Sequence, residues 1–202
     1  VVFDKTGTLT KGKPEVTDII AVNKLKEEEI LHLAASLEKG SEHSLAEAIV
    51  KKAEQEGLTL SKAESFKAIA GHGIEGKVGK DNVYFGNRKL MEREKIEILK
   101  RVQDDIISLE NEGKTVMLLA LRPAQGKPHV VGLIAVADTL KDSAKEGVKM
   151  LQDMKIEVVM ITGDNKRTAD AIAKKLGVNR VLAEVLPDQK EAEVRRIQDS
   201  GK

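Results

Sequence analysis

The chain opens with VVFDKTGTLT, residues 1–10, and this stretch sets the expectations for the whole fold. Three apolar residues of strand type run into Asp4, and a turn containing Gly7 comes directly after it. An apolar strand that ends on a carboxylate is typical of open α/β sheets, which hold their ligands at the carboxyl ends of their strands. A carboxylate there can attack phosphorus, while Thr6, Gly7 and Thr8 offer N–H groups and hydroxyls to phosphate oxygens. The alternative interpretation is an ordinary strand and turn in which the aspartate serves only as a cap.

The composition favours one or two globular domains over a nucleic-acid-binding or membrane-spanning protein. The 202 residues are 33% charged and 41% hydrophobic, with a net charge of +1. Basic and acidic residues are interspersed, which argues against nucleic acid or an anionic membrane surface as the main partner. Cysteine is absent, which excludes disulfides and thiolate metal sites, and no apolar run approaches the ~20 residues of a membrane span. Because the sequence begins within a strand, without a leader or an initiator methionine, we expect an excised cytosolic piece.

The rest of the chain divides into two patterns. Residues 138–202 alternate helix (143–154, 167–176, 188–198) with strand (157–161, 181–183), which predicts a parallel sheet that includes the opening strand. Residues 16–137 predict helices at 27–37, 44–56, 88–94 and 96–111, and strands at 16–22, 66–70, 74–78, 83–85, 115–121 and 130–136. Short strands in quick succession indicate an antiparallel meander. We therefore expect one domain from residues 1–15 and 138–202, and an inserted α+β domain from residues 16–137.

The predicted linkers between these domains are residues 11–14 and 138–140. Gly12 and Pro14 interrupt regular structure in the first of them. Both linkers are expected to act as hinges for domain closure.

Two further motifs lie in the predicted parallel part. Thr162-Gly163-Asp164 follows an apolar strand and precedes a helix, where a hydroxyl and N–H groups suit a phosphate oxygen. The alternative is a capped helix start. Lys190 falls in the first turn of the last helix, where helix electrostatics disfavour a cation. Its functional interpretation is a point charge that neutralises a phosphoryl group in flight, and the alternative is a surface lysine.

The sequence DKTGTLT, residues 4–10, resembles the phosphorylation signature of the P-type ATPases, which share the catalytic core of the haloacid dehalogenase superfamily. The resemblance implies an α/β fold: a Rossmannoid phosphorylation domain with an inserted α+β nucleotide-binding domain on an antiparallel sheet. It also implies that Asp4 becomes an aspartyl-phosphate and that Mg²⁺ is held at Asp4 and Thr6. The catalytic roles that the matching motifs imply fall on Asp4, Lys5, Thr6, Thr162, Gly163, Asp164 and Lys190.

Thr6 separates two classes of enzyme within that superfamily. Its phosphatases usually carry a second aspartate two residues after the nucleophile, as general acid and base. A threonine activates water poorly, so a phosphorylated Asp4 should persist. Persistence suits a pump intermediate better than a phosphatase.

The insertion resembles that of the heavy-metal-transporting branch. Glu38 and the stretch Ser41-Glu42-His43 are similar to residues that help to hold the adenine of ATP, although Ser44 replaces the usual proline. Gly71-His72-Gly73 and Gly86-Asn87 are similar to motifs that let the backbone approach the nucleotide. The cofactor-binding candidates are thus Glu38, His43, Gly71, Gly73, Gly86 and Asn87. We interpret His32, His72 and His129 as surface residues, since they show no metal-ligand spacing.

These resemblances imply the ATP-binding and phosphorylation unit of a heavy-metal P-type ATPase, with copper as the first choice of cargo and zinc or cadmium as alternatives. The implied cofactors are ATP and Mg²⁺. The implied partners are the transmembrane and actuator domains of the same parent chain, at the cytoplasmic face of a membrane, and the cargo would bind outside this fragment. The family's Gly-Asp-Gly-x-Asn-Asp motif is absent from these 202 residues, so we expect nucleotide binding to survive and phosphorylation to be impaired. The rival interpretations are a stand-alone phosphatase of the same superfamily with a cap domain, and a module that only binds nucleotide.

Overall fold

The structure is a computed structural model that describes residues 1–41, 44–123 and 126–199. The chain divides into two compact units. The first unit comprises Val1–Lys13, Glu110–Thr115 and Asp138–Lys202, and the second comprises Pro14–Leu109 and Val116–Ala137. None of the described helices combines the length and the apolar character that a membrane crossing requires. The assignment of a phosphorylation role and a nucleotide-binding role to separate domains stays a prediction, because compactness alone does not assign a function.

The elements follow the predicted order closely. They are, in chain order, β1 (Val2–Asp4), β2 (Thr10–Ala21), α1 (Glu27–Glu38), α2 (Ser44–Gln55), β3 (Ala63–Ile69), β4 (Gly73–Val78), β5 (Asp81–Gly86), α3 (Arg88–Arg93), α4 (Lys100–Asn111), β6 (Thr115–Arg122), β7 (His129–Leu140), α5 (Ala144–Asp153), β8 (Val159–Ile161), α6 (Lys166–Leu176), β9 (Arg180–Leu182) and α7 (Lys190–Asp199). A short helical turn, Pro187–Gln189, leads into α7.

A three-stranded parallel sheet in the order β1-β8-β9 forms the centre of the first unit, as the alternation of strand and helix predicted. Its register pairs Asp4 with Ile161 and Ile161 with Leu182. Apolar residues of α5 and α6 pack with the sheet residue Met160, which is fully buried. Because β1 and β8 run in the same direction, the residues that follow Asp4 and Ile161 emerge at one edge of the sheet.

The second unit is built on a six-stranded sheet in the order β2-β7-β6-β5-β4-β3. The pairs β3/β4, β4/β5 and β5/β6 are antiparallel, which confirms the predicted meander. Helices α1 and α2 contribute to the core on one face and α3 and α4 to the core on the other. Strand β6 therefore has apolar residues on both faces of the sheet. Leu119 lies in the core with α1 and α2, and Leu118 lies in the core with α3 and α4.

Both predicted linkers proved to be extended strand. Residues 11–14 lie within β2 and residues 138–140 lie within β7, and these strands are neighbours in the sheet. The expected break in regular structure at residues 11–14 was therefore wrong. Both segments nevertheless lie at a boundary between the two compact units, and their role as hinges stays a prediction. Gly12 and Pro14 suggested a break, but β2 is an edge strand, where a proline without an N–H is tolerated.

Two smaller predictions also need correction. Helix α4 begins at Lys100 rather than at residue 96, because Lys95 adopts a positive φ of 55° and Ile96 turns into the core. His129 is exposed, but His32 and His72 are only partly exposed: His32 Nε2 lies 3.2 Å from Ser61 Oγ, and His72 Nδ1 lies 2.8 Å from Ala70 O. The prediction of surface histidines is therefore fully confirmed only for His129.

Candidate functional site

Strand β1 delivers Asp4 to the carboxyl end of the parallel sheet, beside Ile161 of β8. The chain then turns sharply through Lys5–Leu9, where Gly7 takes a φ of +76° that favours glycine. Among the described residues, the Asp4 side chain makes no capping hydrogen bond to this turn. The interpretation of Asp4 as a mere cap is therefore not supported.

Asp4 is paired with Lys190, the first residue of α7. Lys190 Nζ donates to Asp4 Oδ2 at 2.7 Å, while 30% of the lysine side chain and 40% of the aspartate side chain remain exposed. The other oxygen, Asp4 Oδ1, is buried and has no hydrogen-bond partner among the described residues. A buried carboxylate oxygen without a partner is unfavourable for folding. Its presence marks Oδ1 as an atom suited to a cation or a reacting group.

Lys5, Thr162 and Asp164 form a second group at the same edge of the sheet. Lys5 Nζ forms an ion pair with Asp164 Oδ2, and only 11% and 13% of the two side chains are exposed. Asp164 N donates to Thr162 Oγ1 at 3.1 Å, and that hydroxyl lies 3.2 Å from Asp164 Oδ2. The threonine hydroxyl therefore orients the aspartate, and the aspartate orients Lys5.

This group does not serve as the cap of the following helix. The N-cap of α6 is Asn165, whose Oδ1 accepts a hydrogen bond from Thr168 N at 3.1 Å. The start of α6 is therefore capped, as the alternative interpretation held, but the cap is Asn165 and not Thr162, Gly163 or Asp164. Of these residues Gly163 is exposed and Thr162 is buried.

Asp138 is a residue of this site that the sequence analysis assigned only to a linker. Its Oδ2 accepts from Thr10 Oγ1 at 2.6 Å and from Gly12 N at 3.0 Å, and its Oδ1 accepts from Lys13 N at 3.2 Å. Thr10 Oγ1 in turn accepts from Gly7 N at 3.2 Å, so Asp138 supports the turn after Asp4. These partners are about 125 positions away in sequence, and nothing local to Asp138 signals them.

The predicted metal ligands are Asp4 and Thr6, and Thr6 is exposed in the turn. Within the described ranges, no group of three or more histidine, cysteine or acidic side chains is arranged to hold a metal ion. Mg²⁺ does not require such a group, since it usually binds one or two carboxylates together with water and substrate phosphates. The unpartnered Asp4 Oδ1 is a hard oxygen ligand of that kind, so the residues present fit the predicted cation.

In the second unit, Glu38 ends α1 and is only 5% exposed. Burial raises the pKa of its carboxyl group from 4.5 to about 7, and a hydrogen bond with the Ser41 side chain opposes that rise. Glu38 Oε2 has no hydrogen-bond partner in the described part of the chain. A buried acceptor of this kind suits an amino group of a ligand.

The candidate glycines and Asn87 form one compact cluster where β4 begins and β5 ends. Asn87 Nδ2 donates to Gly71 O at 2.8 Å, and Asn87 N donates to His72 O at 2.9 Å. A Cβ on Gly73 would lie 2.3 Å from Phe85 O, and one on Gly86 would lie 2.3 Å from His72 O. The close approach of the chain to itself thus already requires glycine here, whether or not a nucleotide also approaches.

The remaining candidate, His43, lies outside the described residues, so its role as an adenine contact stays a prediction. A groove of about 690 Å³ does lie in the second unit, lined by residues that include Leu25, Lys26 and Glu27. Leu25 and Lys26 lie just before α1 and Glu27 is its first residue, whereas Glu38 is its last. The groove is therefore a different place from the predicted adenine site.

Comparison with known proteins agrees with this geometry. The family model for haloacid dehalogenase-like hydrolase matches residues 1–202, the whole chain. A parallel sheet with an aspartate at the end of its first strand and a glycine turn after it is the arrangement that the resemblance implied. The chain belongs to the haloacid dehalogenase-like hydrolase family.

Within that class the chain is most informatively compared with ion pumps. It is 48% identical over 202 residues to a copper-exporting P-type ATPase of Staphylococcus aureus (strain JH9) and 47% identical to the protein of the same description from strain bovine RF122 / ET3-1. The match covers 100% of this chain and 24% of each relative, so the chain spans about a quarter of their length. The resemblance to heavy-metal P-type ATPases is thereby confirmed.

Solved structures give the same result for the fold. A zinc-transporting PIB-type ATPase is 37% identical, with a TM-score of 0.64, over 98% of this chain and 31% of that chain. The catalytic domain of the CPx-ATPase CopB-B, at 22% identity and a TM-score of 0.70, matches 100% of this chain and 67% of that chain, and it supports the fold alone. The predicted fold class, a haloacid-dehalogenase-like α/β unit with an inserted antiparallel sheet, is confirmed.

Proposed function

We propose that this chain is the ATP-binding and phosphorylation unit of a copper-exporting P-type ATPase, and that Asp4 accepts the γ-phosphoryl group of ATP. The observation that carries the proposal is the state of the Asp4 carboxylate. It stands at the end of a parallel strand, with Lys190 on Oδ2 and a buried Oδ1 without a protein partner among the described residues.

In the proposed reaction an oxygen of Asp4 forms a bond to the γ-phosphorus, and the bond from that phosphorus to the bridging oxygen breaks. ADP leaves with the electron pair of that bond. Lys190 reduces the repulsion between the Asp4 carboxylate and the incoming phosphate, as a positive charge aimed at developing negative charge. Lys5, Thr162, Gly163 and Asp164 shape the same edge of the sheet. The backbone N–H of Thr6 is suited to a phosphate oxygen, whereas Gly7 N already donates to Thr10 Oγ1.

Mg²⁺ would be held by Asp4 and by the turn at Thr6, where it would neutralise phosphate charge. Thr6 also affects the lifetime of the acyl-phosphate once the transfer is complete. Because its hydroxyl is a poor general base, the acyl-phosphate is expected to outlive that of a phosphatase. This is why we prefer a pump intermediate over a stand-alone phosphatase.

ATP would be held by the second unit through Glu38, His43, Gly71, Gly73, Gly86 and Asn87. The support from the structure is the buried Oε2 of Glu38, which has no partner among the described residues and can accept a hydrogen bond from the exocyclic amino group of adenine. Within the cluster of Gly71, Gly73, Gly86 and Asn87, Gly71 is exposed while Gly86 is buried, so the turn around Gly71 is the part of the cluster that a nucleotide can approach. His43 would add a flat ring for stacking on the purine.

Copper as the cargo, transmembrane and actuator domains as partners, and a place at the cytoplasmic face of a membrane all belong to this proposal. They are supported by the identity of 48% to a protein described as a copper-exporting P-type ATPase. The 37% identity to a zinc-transporting pump is lower, which is why copper is preferred over zinc, and cadmium stays a further alternative.

The experiment uses the longest natural polypeptide that contains this sequence. Incubation with γ-labelled ATP and Mg²⁺ should give a covalent label that survives acid and is released by hydroxylamine, as an acyl-phosphate is. In parallel, small phosphomonoesters are offered as substrates. A rapid turnover of phosphomonoesters without a trapped label would contradict the proposal and favour the phosphatase.

A further inference from the structure

The Asp164 carboxylate has a partner that none of the sequence motifs contains. Its Oδ2 is held by Lys5 and by Thr162, while its Oδ1 accepts a hydrogen bond from Thr115 Oγ1 at 3.0 Å. Thr115 lies 49 residues away in sequence, where β6 begins. The short segment Glu110–Thr115 nevertheless belongs to the first unit.

This segment is fixed to α6 by several independent contacts. Arg167 Nη1 lies 2.9 Å from Oε2 of Glu110, which is only 4% exposed. Thr168 Oγ1 donates to Lys114 O at 2.8 Å, and Lys175 Nζ donates to Glu112 O at 2.5 Å. Because several contacts hold this segment, the Thr115 hydroxyl has a defined position relative to the Asp164 carboxylate.

Gly113 makes the close approach possible. It takes a φ of +87°, and a Cβ at this position would lie 2.8 Å from Ile172 Cδ1 of α6. The turn at Gly113 therefore packs directly against α6, in addition to the polar contacts that hold the segment there. The position of Thr115 relative to α6 is a feature of the fold and not of one side-chain conformation.

We propose that Thr115 is a positioning residue for phosphoryl transfer: its hydroxyl fixes the rotation of the Asp164 carboxylate, which in turn holds Lys5 beside Asp4. This inference rests on the function proposed above and adds a residue to it. A carboxylate whose two oxygens are engaged from two sides cannot rotate without breaking a hydrogen bond. Without the hydroxyl, Oδ1 is released and the Lys5 ammonium loses its fixed partner.

The test compares Thr115→Val, which removes the hydroxyl and keeps the shape, with Thr115→Ser, which keeps the hydroxyl. In the longest natural polypeptide containing this sequence, Thr115→Val should slow formation of the labelled Asp4 by roughly ten- to a hundredfold at saturating ATP, as expected for loss of a hydrogen bond to a charged group. The ATP dissociation constant should stay unchanged, and Thr115→Ser should retain most of the rate. Thr17→Val, an exposed strand threonine whose hydroxyl contacts Asp18, is the matched control.

A second measurement is independent of activity. In the 202-residue chain, the modification rate of the Lys5 amine by acetic anhydride, read by mass spectrometry, should rise in Thr115→Val and not in Thr115→Ser or Thr17→Val. The inference would be overturned if Asp4 were phosphorylated at an unchanged rate in Thr115→Val. It would also be overturned if phosphorylation of Asp4 were as slow in Thr115→Ser as in Thr115→Val. If the wild type itself gives no label at Asp4, the proposed function fails first and the role of Thr115 in transfer fails with it, even where Lys5 becomes more reactive.

Discussion

Lys190 and Asp4 form an ion pair whose value for folding is small. Both side chains are partly exposed, and exposed pairs typically contribute only ~0.2–1 kcal/mol. The pair brings a cation to the first turn of α7, where the helix dipole disfavours it. Lys190 is thus a cation at an unfavourable position. It lies beside Asp4, whose other carboxylate oxygen is buried without a partner among the described residues. A catalytic role explains this arrangement better than a contribution to folding stability does.

The first prediction separates these two explanations. Lys190→Met should change the free energy of unfolding by less than about 1 kcal/mol, because the pair is solvent-screened. The same change should slow phosphoryl transfer to Asp4 at least about a hundredfold, as loss of a charge directed at the transition state does. Urea unfolding gives the first quantity and single-turnover labelling gives the second.

Lys190→Arg, which keeps the charge, should retain part of the transfer rate and serves as the control. A large loss of stability together with an unchanged transfer rate would show that the pair is structural.

Glu38 leads to a pH-dependent prediction. The pKa of the Glu38 carboxyl group in the folded chain is about 7, above its ordinary value of 4.5, because the group is buried. The protonated carboxyl group therefore favours the folded state. The stabilisation is complete below about pH 4.5 and is lost as the pH rises through 7, by up to about 3 kcal/mol. Glu38→Gln cannot ionise and should escape this loss. Urea unfolding at pH 5 and pH 8 should therefore show the variant gaining stability relative to the wild type at the higher pH, and parallel behaviour of the two proteins would contradict the assignment.

At the scale of elements, the turn between β3 and β4 and the end of β5 depend on the absence of side chains. Gly73 has a φ of +143°, and a Cβ there would lie 2.3 Å from Phe85 O and 2.5 Å from Gly86 Cα. These are backbone atoms, which cannot move aside as a flexible side chain does. The cluster around Gly71 and Asn87 would be disrupted with them.

Gly73→Ala should therefore destabilise the chain by more than about 2 kcal/mol, from strain and overpacking together. The matched control is Gly147→Ala in the middle of α5, where a Cβ meets no atom within 4 Å. That change should stabilise by up to roughly 0.5–1 kcal/mol through helix propensity. Equal effects of the two substitutions on the unfolding free energy would contradict this account of the cluster.

Local patterns in the sequence were sufficient to predict most elements and the edge of the parallel sheet where Asp4, Thr162 and Asp164 meet. An apolar strand followed by a polar turn carries that information within a few residues. The strand β2 was missed at Gly12 and Pro14 because tolerance of proline depends on the strand being at an edge, which is a property of the sheet. Asp138 and Thr115 were missed because their partners are distant in sequence, and a lone aspartate or threonine has no local signature.

At the scale of the whole chain, the two units are expected to respond differently to nucleotide. The candidate adenine contacts, Glu38 and His43, and the Gly71–Gly73 turn all fall within the second unit, whereas Asp4 falls within the first. ATP without Mg²⁺ should therefore slow hydrogen exchange chiefly in α1, β4 and β5. This expectation follows from ligand binding to one part of a chain, which stabilises that part by mass action.

The corresponding prediction concerns the binding constant. In the 202-residue chain, His43→Ala should raise the ATP dissociation constant about tenfold, since stacking of a base on an aromatic ring is worth ~1–3 kcal/mol. His129→Ala, which removes an exposed histidine at the start of β7, is the matched control and should leave the constant unchanged. Isothermal titration calorimetry measures both, and equal constants for the two variants would remove His43 from the adenine site.

The most direct test of the account is to locate the phosphoryl group. The longest natural polypeptide containing this sequence is incubated with ATP and Mg²⁺, reduced with borohydride, which converts an aspartyl-phosphate to homoserine, and sequenced by mass spectrometry. The account predicts homoserine at position 4 in the wild type and no homoserine in Asp4→Asn. Homoserine at another aspartate, or equal phosphoryl labelling after Asp4→Asn, would contradict it.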